Sequence, residues 1–189
     1  MSTSCHKVVF IGEPGAGKTT CIAALSDIAP VTTDVECTDE LALRKARTTV
    51  ALDYGELALD DRARLLLYGL PGQERFRYMF EVVREGLVGA VCLVDASTDE
   101  GIAGLETTLS TYRTELAALP FVVVLNKEPT PRRALREGCL AALRRSDLVA
   151  PIVVADARSR EAIARVFDLL FLLVANGGTG ENSGDDAWA

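Results

Sequence analysis

Apolar positions along this chain fall into blocks whose period switches between two values. Val8-Val9-Phe10-Ile11, Val88 to Val94 and Phe121 to Leu125 are continuous apolar runs. Short runs of this kind, punctuated by Gly, Asn or Pro, are expected of strands buried on both faces of a parallel sheet. Val50, Leu52 and Tyr54 instead alternate with Ala51 and Asp53, the period of a half-buried strand. Leu57-Ala58-Leu59, Asp60-Asp61 and Leu65 to Tyr68 carry that pattern through a turn, so the two segments should form a hairpin. Ile152 to Ala155 supplies the last strand. Between strands the period is helical: residues 18–27, a short helix over 74–85, and Glu100 to Ala118. Pro131 can open a further helix at its first turn, with Leu135, Cys139 and Leu143 on one face. The final helix sets Ile163, Val166, Phe167, Leu170 and Val174 at helical spacing, a core stripe. From Ile28 to Thr48 the period lapses among threonines and acidic residues, a long connection of the kind usually tied to function.

Strands alternating with helices predict an α/β fold: a doubly wound, mostly parallel sheet with one antiparallel strand contributed by the hairpin. Residues 1–175 read as one domain. Residues 176–189 form an acidic, Gly-rich tail with nothing to bury, expected to be disordered, and the single tryptophan, Trp188, sits in it.

Composition narrows the function classes. Across 189 residues the net charge is −7, and no basic run exceeds Arg132-Arg133 or Arg144-Arg145. That balance argues against a nucleic-acid partner. The five cysteines form no C-x-x-C pair, as expected of reduced packing residues in a cytosolic protein, and His6 has no ligand-spaced partner. The sequence shows no signal peptide and no run of about 18 apolar residues. Ser2 stands where myristoylation needs glycine, and no cysteine lies near the end for a prenyl group. The expectation is a cytoplasmic protein with no intrinsic membrane anchor.

The chemistry enters at Gly12-Glu13-Pro14-Gly15-Ala16-Gly17-Lys18-Thr19, which fits G-x-x-x-x-G-K-[ST] and follows a buried strand directly. Glycines let successive backbone N–H groups turn inward around a phosphate, and the helix that begins there adds its positive end. Lys18 is placed to bridge β- and γ-phosphates and the Thr19 hydroxyl to sit on Mg²⁺, while Thr20 beside it is a further nucleotide-binding residue. Ligands in such sheets bind beyond the carboxyl ends of the strands. The phosphate loop, Gly69–Gln73, Asn126–Pro129 and Ala155–Arg158 all follow strands, so they should converge on one crevice.

Leu70-Pro71-Gly72-Gln73-Glu74-Arg75-Phe76 resembles the second switch of Ras-like small GTPases, and Arg47-Thr48-Thr49-Val50-Ala51-Leu52-Asp53-Tyr54 resembles the first. From about residue 7 to 175 the chain is similar to bacterial small GTPases of the MglA polarity type and to conservon GTPases, within the P-loop NTPases. The resemblance implies a GTP-binding switch with slow, Mg²⁺-dependent hydrolysis to GDP, regulated by a roadblock-type (MglB-like) partner. It also implies roles. Thr49, or Thr48 in the alternative register, closes over Mg²⁺ and the γ-phosphate. The Gly72 amide senses that phosphate, and Gln73 orients the attacking water. Arg47 is the first internal candidate for a charge-stabilising arginine and Arg75 the second. Asn126, Lys127 and Glu128 meet the base, and Asp156-Ala157-Arg158 resembles the loop whose amide meets the guanine carbonyl.

Three residues depart from the family pattern. Gly69 replaces the acid that usually precedes the second switch, as in the MglA-like branch, leaving Mg²⁺ to Thr19, Thr49, phosphate oxygens and water. Pro14 removes one N–H from the phosphate loop and stiffens it. Pro129 replaces the carboxylate of the guanine-reading Asn-Lys-x-Asp. Hydrogen bonds to charged groups contribute about 1.5–3 kcal/mol each, so losing two lowers guanine preference by roughly a hundredfold to ten-thousandfold. Three compensations are open: Glu128 from one position earlier, Lys127 over the base, and the Ala157 amide. With them the balance favours guanine. Two other readings stand beside the switch: a scaffold without turnover that binds a roadblock-type partner, and a small P-loop kinase, for which no arginine-rich lid is visible.

Overall fold

The computed structural model describes residues 4–35, 50–60 and 62–177. Expectations for Cys37, Arg47, Thr48, Thr49, Trp188 and the tail from residue 178 lie outside the described residues.

The central strand β1 (Ser4–Gly12) carries four residues, Val8 to Ile11, each fully buried. It is parallel to β4 (Ala63–Pro71) on one side and to β5 (Leu87–Asp95) on the other. Beyond β5 lie β6 (Phe121–Asn126) and β7 (Ile152–Val154), also parallel. Beyond β4 lie β3 (Val50–Ala58) and β2 (Val31–Val35). The seven strands run β2-β3-β4-β1-β5-β6-β7, and β3 is antiparallel to both its neighbours. This is the expected α/β architecture with one antiparallel strand.

Side chains alternate across β1. Val8 and Phe10 enter a layer with Cys21 and Ile22 of α1 (Lys18–Leu25) and Ile163, Val166, Phe167 and Leu170 of α6 (Arg160–Gly177). Val9 and Ile11 enter the opposite layer. There they meet α2 (Tyr78–Val83), α3 (Gly101–Thr111) and α5 (Arg133–Arg145) through Met79, Phe80, Leu105, Leu109, Leu135 and Cys139. Period-2 alternation on a two-sided buried strand is what gives the sheet a core on each face.

Several boundaries differ from the sequence expectation. Val31–Val35 is a strand, paired from Val31 opposite Tyr54 to Val35 opposite Val50, where the apolar period predicts an irregular connection. Threonine favours strands without adding to an apolar pattern, so the hydrophobic period misses it. The helix expected over 74–85 is a 3-10 turn, Glu74–Phe76, followed by α2. The helix expected over 100–118 is broken into α3 and α4 (Arg113–Ala117) by Tyr112 at φ −109°, ψ 22°. Tyr112 is fully buried, donates from its hydroxyl to the Pro71 carbonyl at 2.7 Å and packs on Phe80. Pro131 lies two residues ahead of α5 rather than in its first turn, and Arg132 takes the N-cap position.

Cys21, Cys92 and Cys139 are buried free thiols, while Cys5 and His6 are exposed. Among the described residues no helix is long and apolar enough to cross a membrane.

Candidate functional site

β1 delivers the chain at the middle of the sheet, and α1 begins six residues after Gly12, at Lys18. The loop between them is a tight turn: the Ala16 amide donates to the Glu13 carbonyl at 3.1 Å, and Gly15 adopts φ +84°. A type II turn has these features, and its second position favours the fixed φ of proline. Pro14 occupies that position, so this departure suits the loop. Gly17, at φ +111°, is required by close approach as well as by backbone, since an added Cβ would overlap the Asn126 amide. Lys18 bends its ammonium back onto the carbonyls of Gly12 (2.8 Å) and Glu13 (3.0 Å). Burial lowers its pKa, opposed by the Asp53 and Glu13 carboxylates.

Asp53 is the functional candidate that sequence reading does not single out. It stands on β3 in register with Gly69 of β4, and its carboxylate accepts the Thr19 hydroxyl. A Cβ on residue 69 would lie 3.0 Å from the Asp53 Cβ and 3.1 Å from Oδ2, so glycine is what makes room for the neighbouring acid. The carboxylate missing from β4 is thus present in space, one strand over. The Thr19 hydroxyl, expected from the sequence at the metal, thus lies against a protein carboxylate. The visible signal was an acid alternating with Val50, Leu52 and Tyr54, but only the hairpin register pairs it with Gly69.

The segment that resembles a second switch begins where β4 ends. The Gly72 backbone amide donates to the Gly12 carbonyl at 2.9 Å, and the Gln73 side chain donates from Nε2 to the Glu13 carboxylate at 3.2 Å. Arg75 is exposed, with its guanidinium 4.6 Å from the Phe76 ring centroid. Lys18, Thr19, Thr20, Asp53, Gln73 and Arg75 all border one open cavity of about 510 Å³. Lys18 and Gln73 thus border the same cavity, while Arg47 lies outside the described residues.

At the other end of the crevice Asn126, almost completely buried, is the pin. Its Nδ2 donates to the Ala16 carbonyl at 2.8 Å, and its Oδ1 accepts the Ala157 amide at 2.9 Å. Lys127 adopts φ +73°, rare for a residue with a side chain and frequent at functional loops, and its ammonium pairs with Asp95. The Glu128 carboxylate accepts the Thr130 amide at 3.1 Å. Asp156 is solvent-exposed, and the Arg158 side chain and amide hold its carboxyl at about 2. The four strand-ending loops do come together, joined by Asn126 and by the Gly12–Gly72 bond.

A family model described as conserved hypothetical ATP binding protein matches residues 31–170. The chain belongs to this family. The matched span covers six of the seven strands and begins after the phosphate loop of the β1–α1 junction. An uncharacterized protein of Methanocaldococcus jannaschii is 32% identical over 122 residues, 64% of this chain and 69% of that protein. The Ras-related protein Rab-18 of Caenorhabditis briggsae is 27% identical over 172 residues, 87% of this chain and 77% of that protein. Rab-18-B of Danio rerio is 27% identical over 168 residues, covering 87% and 76%. Family, loop and fold together make this member of the conserved hypothetical ATP binding proteins a nucleotide-binding P-loop domain with distant similarity to Rab proteins.

Proposed function

We propose that the chain is a Ras-type molecular switch that binds GTP with Mg²⁺, hydrolyses it slowly to GDP and acts in the cytoplasm under control of a roadblock-type partner. One observation carries the reading. Lys18, the Gly72 amide and the Gln73 amide all rest on Gly12 or Glu13, at the lip of the cavity that Thr19 and Asp53 also border. The partner rests on the resemblance to the MglA-type proteins, and the guanine base on that resemblance and the Rab relatives.

The residues present fit Mg²⁺. The Thr19 hydroxyl and the Asp53 carboxylate are hard oxygen donors already in contact, and Mg²⁺ takes few protein ligands beside phosphate oxygens and water. When bound, Mg²⁺ supplies neutralising charge to the β- and γ-phosphate oxygens.

The protein's part is an exchange of partners. The Lys18 ammonium leaves two carbonyls for anionic phosphate oxygens. The Gly72 amide trades the Gly12 carbonyl for the γ-phosphate, and Gln73 leaves Glu13 to hold a water in line with it. An anionic phosphate oxygen turns the Lys18 contacts into an ion pair and the neutral Gly72 bond into a charge-assisted one, so the triphosphate drives the first two exchanges. Losing the γ-phosphate returns the second switch to Gly12 and Glu13, which is the switching step. Turnover of GTP by the purified chain with Mg²⁺ and its abolition in Gln73→Leu, with binding intact, is the expected result. Binding without turnover, with or without a roadblock-type partner, would instead favour the scaffold reading. The bond that ties Gln73 to Glu13 is the observation on that side.

A further inference from the structure

The base end of the crevice carries the next inference, which rests on the nucleotide-switch reading and concerns what that switch accepts. Guanine is separated from adenine by its edge: N1–H and the 2-amino group call for a carboxylate, and O6 calls for an N–H donor. Adenine offers neither that donor pair nor that acceptor. A site selects guanine only if both partners are free to meet it.

Neither is free here. The carboxylates in the loops at this end include Asp99, paired with Arg132, and Asp95, Glu128 and Asp156. Asp95, at the end of β5, takes the Lys127 ammonium on one oxygen and the Ser97 amide (3.0 Å) and hydroxyl (2.6 Å) on the other. Glu128 folds onto its own loop, accepting the Thr130 amide at 3.1 Å. The residue after it is Pro129, whose ring fixes its own φ and restricts Glu128, so the loop resists the bend that would swing this carboxylate inward. Asp156 is chelated by Arg158 through Nε (3.0 Å), an Nη (2.8 Å) and the backbone amide (2.9 Å).

The N–H donor is engaged as well. Ala157 is buried, and its amide donates to Asn126 Oδ1 at 2.9 Å. Asn126 in turn fixes the phosphate loop through the Ala16 carbonyl. Turning the Ala157 amide toward a guanine carbonyl would orphan a buried oxygen on the residue that joins three loops. Lys127, held by Asp95 at a left-handed backbone position, can offer its alkyl stem to the face of a ring. Stacking of that kind does not distinguish one purine from another. All three compensations open to the sequence are thereby spent on the protein itself.

We propose that this site holds purine nucleotides by their phosphates and ring face, not by the base edge. ATP and GTP, and likewise ADP and GDP, are then taken with affinities within about tenfold of each other.

The full chain, stripped of nucleotide and supplied with Mg²⁺, is titrated with fluorescent GDP and fluorescent ADP, each then competed with unlabelled GTP and ATP. The expected ratio of dissociation constants is within about tenfold, and a preference beyond roughly a hundredfold for either base overturns the inference while leaving the switch reading intact. Absence of binding by both nucleotides overturns the switch reading and the inference with it. A second arm uses Pro129→Asp, on an exposed turn where the fold tolerates change. Supplying the missing carboxylate should tighten GDP by about tenfold or more and leave ADP unchanged. If P129D leaves the ratio unaltered, base-edge selection is not what the wild-type site lacks, and the inference falls.

Discussion

The phosphate end and the base end of the crevice are built alike, from loops that follow parallel strands, yet their polar groups are committed in opposite ways. At the phosphate end Lys18 and the Gly72 amide rest on neutral carbonyls of Gly12 and Glu13. A phosphate oxygen outcompetes a neutral carbonyl, so these contacts read as placeholders. At the base end the partners are ionic or buried: Lys127 with Asp95, Arg158 with Asp156, and Ala157 with Asn126. A neutral ring edge must displace an existing partner at each of these groups. One end is poised to trade partners, and the other is closed on itself.

Substitutions at the phosphate end should expose that contrast most strongly. Lys18→Ala removes two placeholder bonds and the charge meant for phosphate, and should weaken fluorescent GDP and ADP by at least about a hundredfold each. The decisive reading is the equality of the two losses. A loss confined to one base would mean that the two ends act together, and the comparison would break.

Asp53→Asn should lower the Mg²⁺ affinity of the triphosphate complex by about 10–100-fold, the size typical of disturbed metal surroundings. Titrating Mg²⁺ against the nucleotide-loaded protein measures this, and Mg²⁺-free diphosphate binding should change little. If Mg²⁺ affinity is unaltered, the contact between Thr19 and Asp53 is structural only.

Glu13→Ala has the smallest expected effect. It releases the Gln73 side-chain amide from a long, half-buried contact that contributes about 0.5–1.5 kcal/mol net, so single-turnover GTP hydrolysis should rise, by up to about tenfold. A slower reaction would show that Glu13 holds Gln73 in its working position rather than away from it.

What could be read from the sequence was whatever depends on neighbours along the chain. The phosphate loop is eight consecutive residues shaped by local backbone geometry, and even Pro14 suits its turn. The buried strands declare themselves as apolar runs, and the helices on either face follow from alternation. What escaped depends on partners far apart in sequence. Asp53 acquires meaning only opposite Gly69 and beside Thr19, 34 residues earlier. The break at Tyr112 answers to Pro71, 41 residues away. The engagement of Lys127 by Asp95 and of Ala157 by Asn126 spans 32 and 31 residues. Glu128, Lys127 and Ala157 each look available in the sequence, because their competitors come from other loops or from a turn not yet folded.

Asp53 also separates two duties that a single segment could have carried. With the acid on β3 and the phosphate-sensing amide at the end of β4, retention of a metal–nucleotide pair and the ability to respond to it would sit on different strands. Either could then be lost by substitution without disturbing the other. Under the proposed function, loss of Gln73 would leave a permanently loaded assembly platform, and loss of Asp53 a fast-exchanging responder. Neither change requires a rebuilt core.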